Sequence, residues 1–320
     1  MASLYIASCE KDGGIYRYSL EGERLILSDK TPCDRPMYLA REGDTLYALL
    51  RAPFAHTEES GVVSWRIRED GSLTDPTPAH PTGGTVGCHI AVSAGDVYVA
   101  NYTSGSVAHL GGRIDIHKGK GVHPTRQTAP HPHSVLLSPS GEYLLSADLG
   151  LDRIFVYDRA LHPVSVAQAE AGSGPRHMVF SHDGGFLYVV NELSSTLTCY
   201  RYHEGRLSRL GSTSTLQEES RVPSIAAAIR LSADGKRLYV TNRGENTVAV
   251  FSTEGETLTR LASYPTYGDE PRDFILIDGE RYAVLTNQFS HSVVLYRHET
   301  GHLEKLLSLN LPSPLAALYN

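Results

Sequence analysis

The sequence predicts an all-β chain built as a seven-bladed β-propeller of four-stranded antiparallel blades. Three observations lead there. One strand pattern recurs seven times, no stretch keeps a helical period for three turns, and the two ends of the chain complete each other's pattern. The recurrent segments are LYIAS, LYALL, VYVAN, LLSAD, LYVVN, LYVTN and AVLTN, ending on Ser8, Leu50, Asn101, Asp148, Asn191, Asn242 and Asn287. They return roughly every forty to fifty residues, the length of one four-stranded blade.

Each unit reads strand by strand. The first is an apolar run, led by Pro36, Pro132, Pro175 or Pro271 in four of the units, as in PHSVLL and PRHMVF. A turn containing glycine then returns the chain into the second run, of LYVxN type. A short turn follows, and a third alternating run: DRIFVYD, STLTCYRY, NTVAVFS or HSVVLYRH. A weaker fourth comes last, such as LSRLGSTST or LTRLASYPT. Short alternating runs of β-branched and aromatic residues, punctuated by Gly, Asp and Asn, are strand-and-hairpin signals. With 29 glycines and 17 prolines, little room is left for helices. The seven units occupy residues 1–320 as a single domain. SPLAAL, residues 313–318, matches the first strands, yet no second strand follows it; LYIAS at the N-terminus supplies one. The N- and C-terminal strands are therefore expected to pair and close the ring, which removes open sheet edges.

Composition narrows the function classes. Hydrophobic residues at 41% and charged residues at 20% suit a packed globular domain. A net charge of −7 with no long run of one sign argues against a nucleic-acid partner, while permitting a small basic pocket. No apolar run approaches the roughly eighteen residues of a membrane span, so no membrane role is expected. MASLYIASCEKDGG lacks the basic start and apolar core of a signal peptide. Cys9, Cys33, Cys88 and Cys199 are scattered without a C-x-x-C pair, and read as reduced thiols of a cytoplasmic protein.

In a propeller the first strand of each blade is innermost and the second runs antiparallel beside it. The start of one and the end of the other therefore meet at one rim of the central channel. The starts contribute Met37, His89, His131, His133, Arg176, His177, Arg272 and Asp273. The ends contribute Asn101, Asp148, Asn191, Glu192, Asn242, Arg243 and Asn287. An unpaired buried charge is expensive, so Arg176 and His177 at the threshold of a core strand make sense only if that threshold opens into a polar cavity.

Several of these stretches resemble the lactonase family of seven-bladed propellers, which groups propeller-type 6-phosphogluconolactonases with the fungal carboxy-muconate lactonizing enzyme. The likeness is carried by P-H-x-H in RQTAPHPHSVLLSPSGEYLLSADLGLDRIFVYD, by G-P-R-H and N-E-L in GSGPRHMVFSHDGGFLYVVNELSSTLTCYRY, and by N-R-G and E-P-R-D further on. The resemblance implies a metal-independent, cofactor-free site at the channel mouth. It carries over onto His133, Arg176 and Glu192 as catalytic residues, and onto either Arg243 or Arg272 as a further arginine. His131, His177, Asp148, Asn191 and Asn242 join those two arginines as candidate substrate-binding residues.

Opening a δ-lactone needs a held water, a proton acceptor and positive groups for the developing oxyanion. His133 or Glu192 can be the acceptor. A carboxylate among arginines is weakened as a base, which favours His133, with Glu192 orienting it or the water. A planar guanidinium gives two parallel hydrogen bonds to phosphate or carboxylate, so a small anionic substrate is expected. The leading reading is hydrolysis of 6-phospho-D-glucono-1,5-lactone; a muconate-type lactonizing cycloisomerase and a non-catalytic binding propeller are the alternatives. The segment 111–133, with Arg113, Lys118, Lys120 and Arg126, either folds over the mouth or runs as a solvated excursion. His131 and His133 lack an evident third metal ligand, no G-x-S-x-G elbow is present, and no Gly-rich loop opens a helix.

Overall fold

The computed structural model describes residues 2–254 and 257–320. Their strands form seven antiparallel sheets, six of them four-stranded. The innermost strands, taken as blades 1 to 7, are Pro314–Tyr319, Pro36–Glu42, Gly87–Ser93, Pro132–Leu137, Pro175–Phe180, Ile225–Leu231 and Pro271–Ile277. Each packs beside the next, and the last packs beside the first. The ring is closed as expected: Leu4 lies opposite Tyr319 and Ser8 opposite Pro314. Cys9 N–H donates to Ser313 O at 2.9 Å and Asn320 N–H to Ser3 O at 3.2 Å, so both ends of the seam are tied.

Blade 2 departs from the repeat. Its fourth strand is only Leu73–Thr74, and His80–Thr85 pairs beside it with Glu59–Ile67, giving five strands. Pro76, Pro78 and Pro81 lie in this stretch. Without an N–H they cannot continue a ladder, which restricts proline to edges and breaks such as this one.

The second and third strands pack between blades. Tyr5, Tyr98 and Tyr239 of second strands and Tyr157, Tyr200 and Tyr296 of third strands are almost wholly buried there. A tyrosine brings apolar area but must place its hydroxyl; Tyr5 donates to Gly71 O at 2.7 Å and Tyr98 to Arg159 O at 2.8 Å. Neighbouring blades thus share cores, as where Tyr239 and Val250 meet Phe274 and Leu285.

One backbone irregularity recurs in every blade. Where the first strand begins, its ladder with the second strand shifts register and leaves residues out of the pairing. A bulge of this kind bends the strand and re-aims a side chain. The residues so displaced are Leu315, Met37, Cys88, His133, Arg176, Ala227 with Ala228, and Arg272.

Candidate active site

Six of the displaced residues, Met37, Cys88, His133, Arg176, Arg272 and Leu315, line one cavity of about 20 Å³, with Tyr38 and His177. A second tier comes from the residue that follows each LYVxN-type run: Cys9, Arg51, Tyr102, Leu149, Glu192, Arg243 and Gln288. A shared backbone bond sets most of this tier. Arg51 N–H donates to Arg35 O at 3.1 Å, Tyr102 to Val86 at 3.0 Å, Glu192 to Gly174 at 2.7 Å and Gln288 to Glu270 at 2.9 Å. Chemistry scattered along the chain is thereby delivered to one mouth by a repeated local geometry.

Glu192 is the hub. Its Oε2 accepts from Arg176 Nε at 3.0 Å and lies 2.8 Å from Arg243 Nη2, while Oε1 accepts from Arg126. Arg243 Nη1 continues to Glu270 Oε1 at 3.0 Å, which Arg272 Nη1 approaches at 3.5 Å. Burial opposes ionisation of Glu192, but Arg243, Arg176, His133 and Arg126 together outweigh it and hold the carboxyl well below its ordinary range. Burial, reinforced by Arg243 and Arg272, brings Arg176 down to about 9, which leaves it cationic at neutral pH.

His133 Nε2 faces Glu192 Oε2 at 3.9 Å. Burial and the adjacent Arg176 charge push this imidazole well below its usual pKa, so it is neutral at pH 7. Its Nδ1 is buried without a hydrogen-bond partner among the described residues, as is Nδ1 of His177. A buried polar atom left unsatisfied calls for water or a ligand. Deeper in the channel His133, His177 and His89 meet edge to face, with ring centroids 5.5 and 5.2 Å apart. Burial lowers His177 well below its ordinary value and His89 to about 3. Burial pushes the Cys88 thiol up to about 12, which keeps it protonated and unsuited to nucleophilic attack.

The structure therefore brings His133, Arg176, His177, Glu192, Arg243 and Arg272 together. His131 sits at the edge, stacked on Tyr102 with centroids 4.3 Å apart and its Nδ1 against Tyr102 O at 2.9 Å. Three candidates are placed otherwise. Asp148 is fully buried, accepts from His131 N–H at 2.8 Å and Leu151 N–H at 3.1 Å, and holds His117 Nδ1 at 2.6 Å. Asn191 donates to Thr196 and Thr198, and Asn242 donates to Thr215 O and Thr247. These side chains lie on the far face of their strands and tie turns, because alternation sends the last residue of each LYVxN-type run away from the channel that its successor faces. Asp273, expected at the rim, instead pairs with Arg230 at 2.6 Å.

The segment 111–133 is a structured strap. Buried Gln127 accepts from Val122 and His123 N–H at 3.0 and 2.8 Å and donates to Leu149 O at 2.8 Å. That anchoring lets Arg126 reach Glu192 over the mouth, whereas Arg113, Lys118 and Lys120 are exposed. Cys88, Tyr102, Glu270 and Arg51 were missed in the sequence, although their places beside the Pro- or LYVxN-type landmarks give them the same positional signal. Among the described residues, no group of three or more His, Cys, Asp or Glu is arranged to hold a metal ion.

The family model described as lactonase, 7-bladed beta-propeller, matches residues 3–318. Over 91% of its length the chain is 32% identical to an uncharacterized protein of Staphylococcus epidermidis, covering 90% of that protein. It is 29% identical to the 6-phosphogluconolactonase of Bacillus subtilis, with 98% of this chain and 97% of the relative covered. Among solved structures, a Lactobacillus plantarum protein superposes over all of both chains with a TM-score of 0.90 and 31% identity. The periplasmic gluconolactonase of Pseudomonas aeruginosa matches with a TM-score of 0.89 and 27% identity, over 99% of this chain and 98% of that one. With its ring closed and the family pattern running nearly end to end, the chain belongs to the lactonase family of seven-bladed β-propellers.

Proposed function

We propose that the protein hydrolyses an anionic sugar lactone, with 6-phospho-D-glucono-1,5-lactone as the best-fitting substrate, giving 6-phosphogluconate. One observation carries the reading: four guanidiniums, Arg126, Arg176, Arg243 and Arg272, surround two carboxylates, Glu192 and Glu270, beside a neutral His133. Two positive charges are left over, and they favour an anionic ligand with bidentate oxygens. The names of the Bacillus and Pseudomonas relatives support lactone chemistry.

The cavity of about 20 Å³ between His133, Arg176 and Arg272 has room for one water. In the proposed step, water oxygen attacks the lactone carbonyl carbon while the imidazole of His133 takes the water's proton. Arg176 donates to the oxyanion. When the tetrahedral intermediate collapses, the bond from carbonyl carbon to ring oxygen breaks, and the imidazolium returns its proton to the departing alkoxide. Glu192, fixed by three arginines, is a poor base but a good counter-charge for that imidazolium. Four free cysteines suit a cytoplasmic setting.

The test is disappearance of the lactone above its spontaneous hydrolysis, for the native protein and for His133→Ala. Acceleration that His133→Ala abolishes supports the proposal; no acceleration by the native protein ends it. Cyclisation of a carboxylated muconate, without lactone hydrolysis, would assign the same mouth to proton transfer onto a diene instead.

A further inference from the structure

The mouth has two unlike arcs. His133, Arg176, Glu192 and Arg243 occupy one side, on blades 4 to 6. On the other, blade 1 offers Cys9 and Leu315, with Glu10 next in sequence to Cys9, flanked by Arg272 of blade 7 and by Arg35 and Arg51 of blade 2. Arg51 follows LYALL as Glu192 follows LYVVN. Its N–H bond to Arg35 O, at 3.1 Å, repeats the bond from Glu192 N–H to Gly174 O at 2.7 Å. Arg51 thus stands in blade 2 where Glu192 stands in blade 5.

The three guanidiniums on this arc are not equally occupied. Arg35 is neutralised by Asp34 at 2.9 Å. Arg272 reaches Glu270 only at 3.5 Å, and that carboxylate is held more closely by Arg243. Arg51 is exposed and, among the described residues, its side chain makes no ion pair. Burial pushes the Cys9 thiol up to about 11; Arg51, Arg272 and Arg35 oppose it, while the neighbouring Glu10 carboxylate, which accepts from Ser313 Oγ, adds to it. Cys9 Sγ lies 3.4 Å from Met37 Sδ, a neutral floor between them.

We propose that Arg51 and Arg272 form a separate anion subsite, which holds the phosphate ester of the substrate while Arg176 and His133 face the lactone carbonyl. The inference rests on the lactonase reading of the mouth and adds the residues that select a phosphorylated over a neutral sugar. Cys9 and Leu315 of blade 1 are short and uncharged, and the adjacent Glu10 carboxylate is occupied by Ser313 Oγ. A phosphate dianion here takes up the surplus charge without displacing any arginine from Glu192. Both guanidiniums offer forked N–H donors that match phosphate oxygens.

Binding of the product acids tests this without any need for turnover. Calorimetric titration of 6-phosphogluconate and of gluconate is compared for the native protein, Arg51→Gln and Arg51→Lys. The native protein is expected to prefer the phosphorylated acid. Arg51→Gln should weaken 6-phosphogluconate by about 10- to 100-fold, as losing a charged hydrogen-bonding partner does, and should bring the two acids closer in affinity. Arg51→Lys should restore part of the preference. Equal affinity of the native protein for both acids, or unchanged 6-phosphogluconate binding in Arg51→Gln, overturns the subsite. Selective binding of the phosphorylated acid by a protein that does not accelerate lactone opening would keep the subsite and overturn the lactonase reading.

Discussion

Replacing Glu192 by glutamine keeps the size of the side chain and removes its charge, so it isolates what that charge does. In the native chain Arg176 and Arg243 are only 3% and 4% exposed at their side chains, and Glu192 2%. Arg243 retains Glu270 in the variant, but Arg176 keeps only neutral acceptors, Ala227 O at 2.7 Å and His177 at 3.2 Å. Removing one partner of a buried pair costs about 3–5 kcal/mol, because the other charge stays buried and unmatched. Unfolding entropy near 2.1 cal/mol/K per residue, over the 320 residues, converts this into a fall in Tm of roughly 4–7 °C. The pH dependence gives the sign. The carboxyl of Glu192 is held well below its ordinary range in the folded chain, so its stabilisation is present above the unfolded value and is lost as pH falls through the folded one. The difference in Tm between native and Glu192→Gln proteins should therefore be full at pH 7 and close under strongly acid conditions. Thermal denaturation followed by circular dichroism across that range is the assay. A variant more stable than the native protein at pH 7 would refute the reasoning, since it would mean that burying the carboxylate costs more than three arginines return.

His133 must be neutral to accept a proton, and burial with the Arg176 charge keeps it so to well below pH 6.5; kcat/KM should be level from pH 8 to 6.5, and an acid inflection at or above 6.5 would count against it as the base. His89, His133 and His177 are all depressed, so the unfolded chain gains protons below about pH 6.5 that the folded one refuses, and Tm should begin to fall there; a Tm that rises on acidification through this range contradicts the placement. Asp148→Asn replaces the carboxylate oxygen that faces His117 Nδ1 at 2.6 Å by an amide N–H and leaves His131 and Leu151 N–H a neutral acceptor, and should cost about 1–3 kcal/mol of stability. Its kcat per folded molecule should stay near native, and a tenfold loss of kcat at native stability would return Asp148 to the chemistry. Deleting residues 312–320 strips the innermost strand from blade 1 and bares Leu4–Ser8, buried at every position; the truncated chain should aggregate, and recovery of a soluble, cooperatively unfolding protein would show that closure is dispensable.

The repeat made the fold legible, because seven copies of one alternating pattern leave few topologies open. It also located the mouth, since antiparallel pairing dictates where a first strand begins and a second ends. What periodicity alone could not resolve was direction. Asn191 and Glu192 are adjacent, yet Asn191 ties Thr196 and Thr198 while Glu192 gathers three arginines. Strand alternation would separate them, but the rim reading placed both toward the axis. Blade 2 shows the opposite error: its run LYALL ends on Leu50 rather than on Asn or Asp, so the sequence reading passes over Arg51, although it follows that run as Glu192 follows LYVVN.

The bulges explain why this position tolerates charge at all. In a regular strand Arg176 and His177 would face opposite sides, and one of them would enter the packed layer between blades. The register shift between Pro175 and His177 removes Arg176 from the ladder, and both side chains meet at the channel, 3.2 Å apart. Blade 6 shows the complementary use of the same device. Its displaced residues are alanines, all fully buried, and their small size exposes backbone carbonyls to the neighbouring arginines. Arg176 Nη1 donates to Ala227 O at 2.7 Å and Arg243 Nη2 to Ala226 O at 2.9 Å. Those carbonyls occupy guanidinium N–H groups that Glu192 alone could not satisfy, leaving the remaining donors directed at the mouth. Arg176 thus rests on a backbone carbonyl that the bulge of blade 6 presents, so these alanines count toward the anion site as much as the charged side chains do, Arg243 of the same blade included.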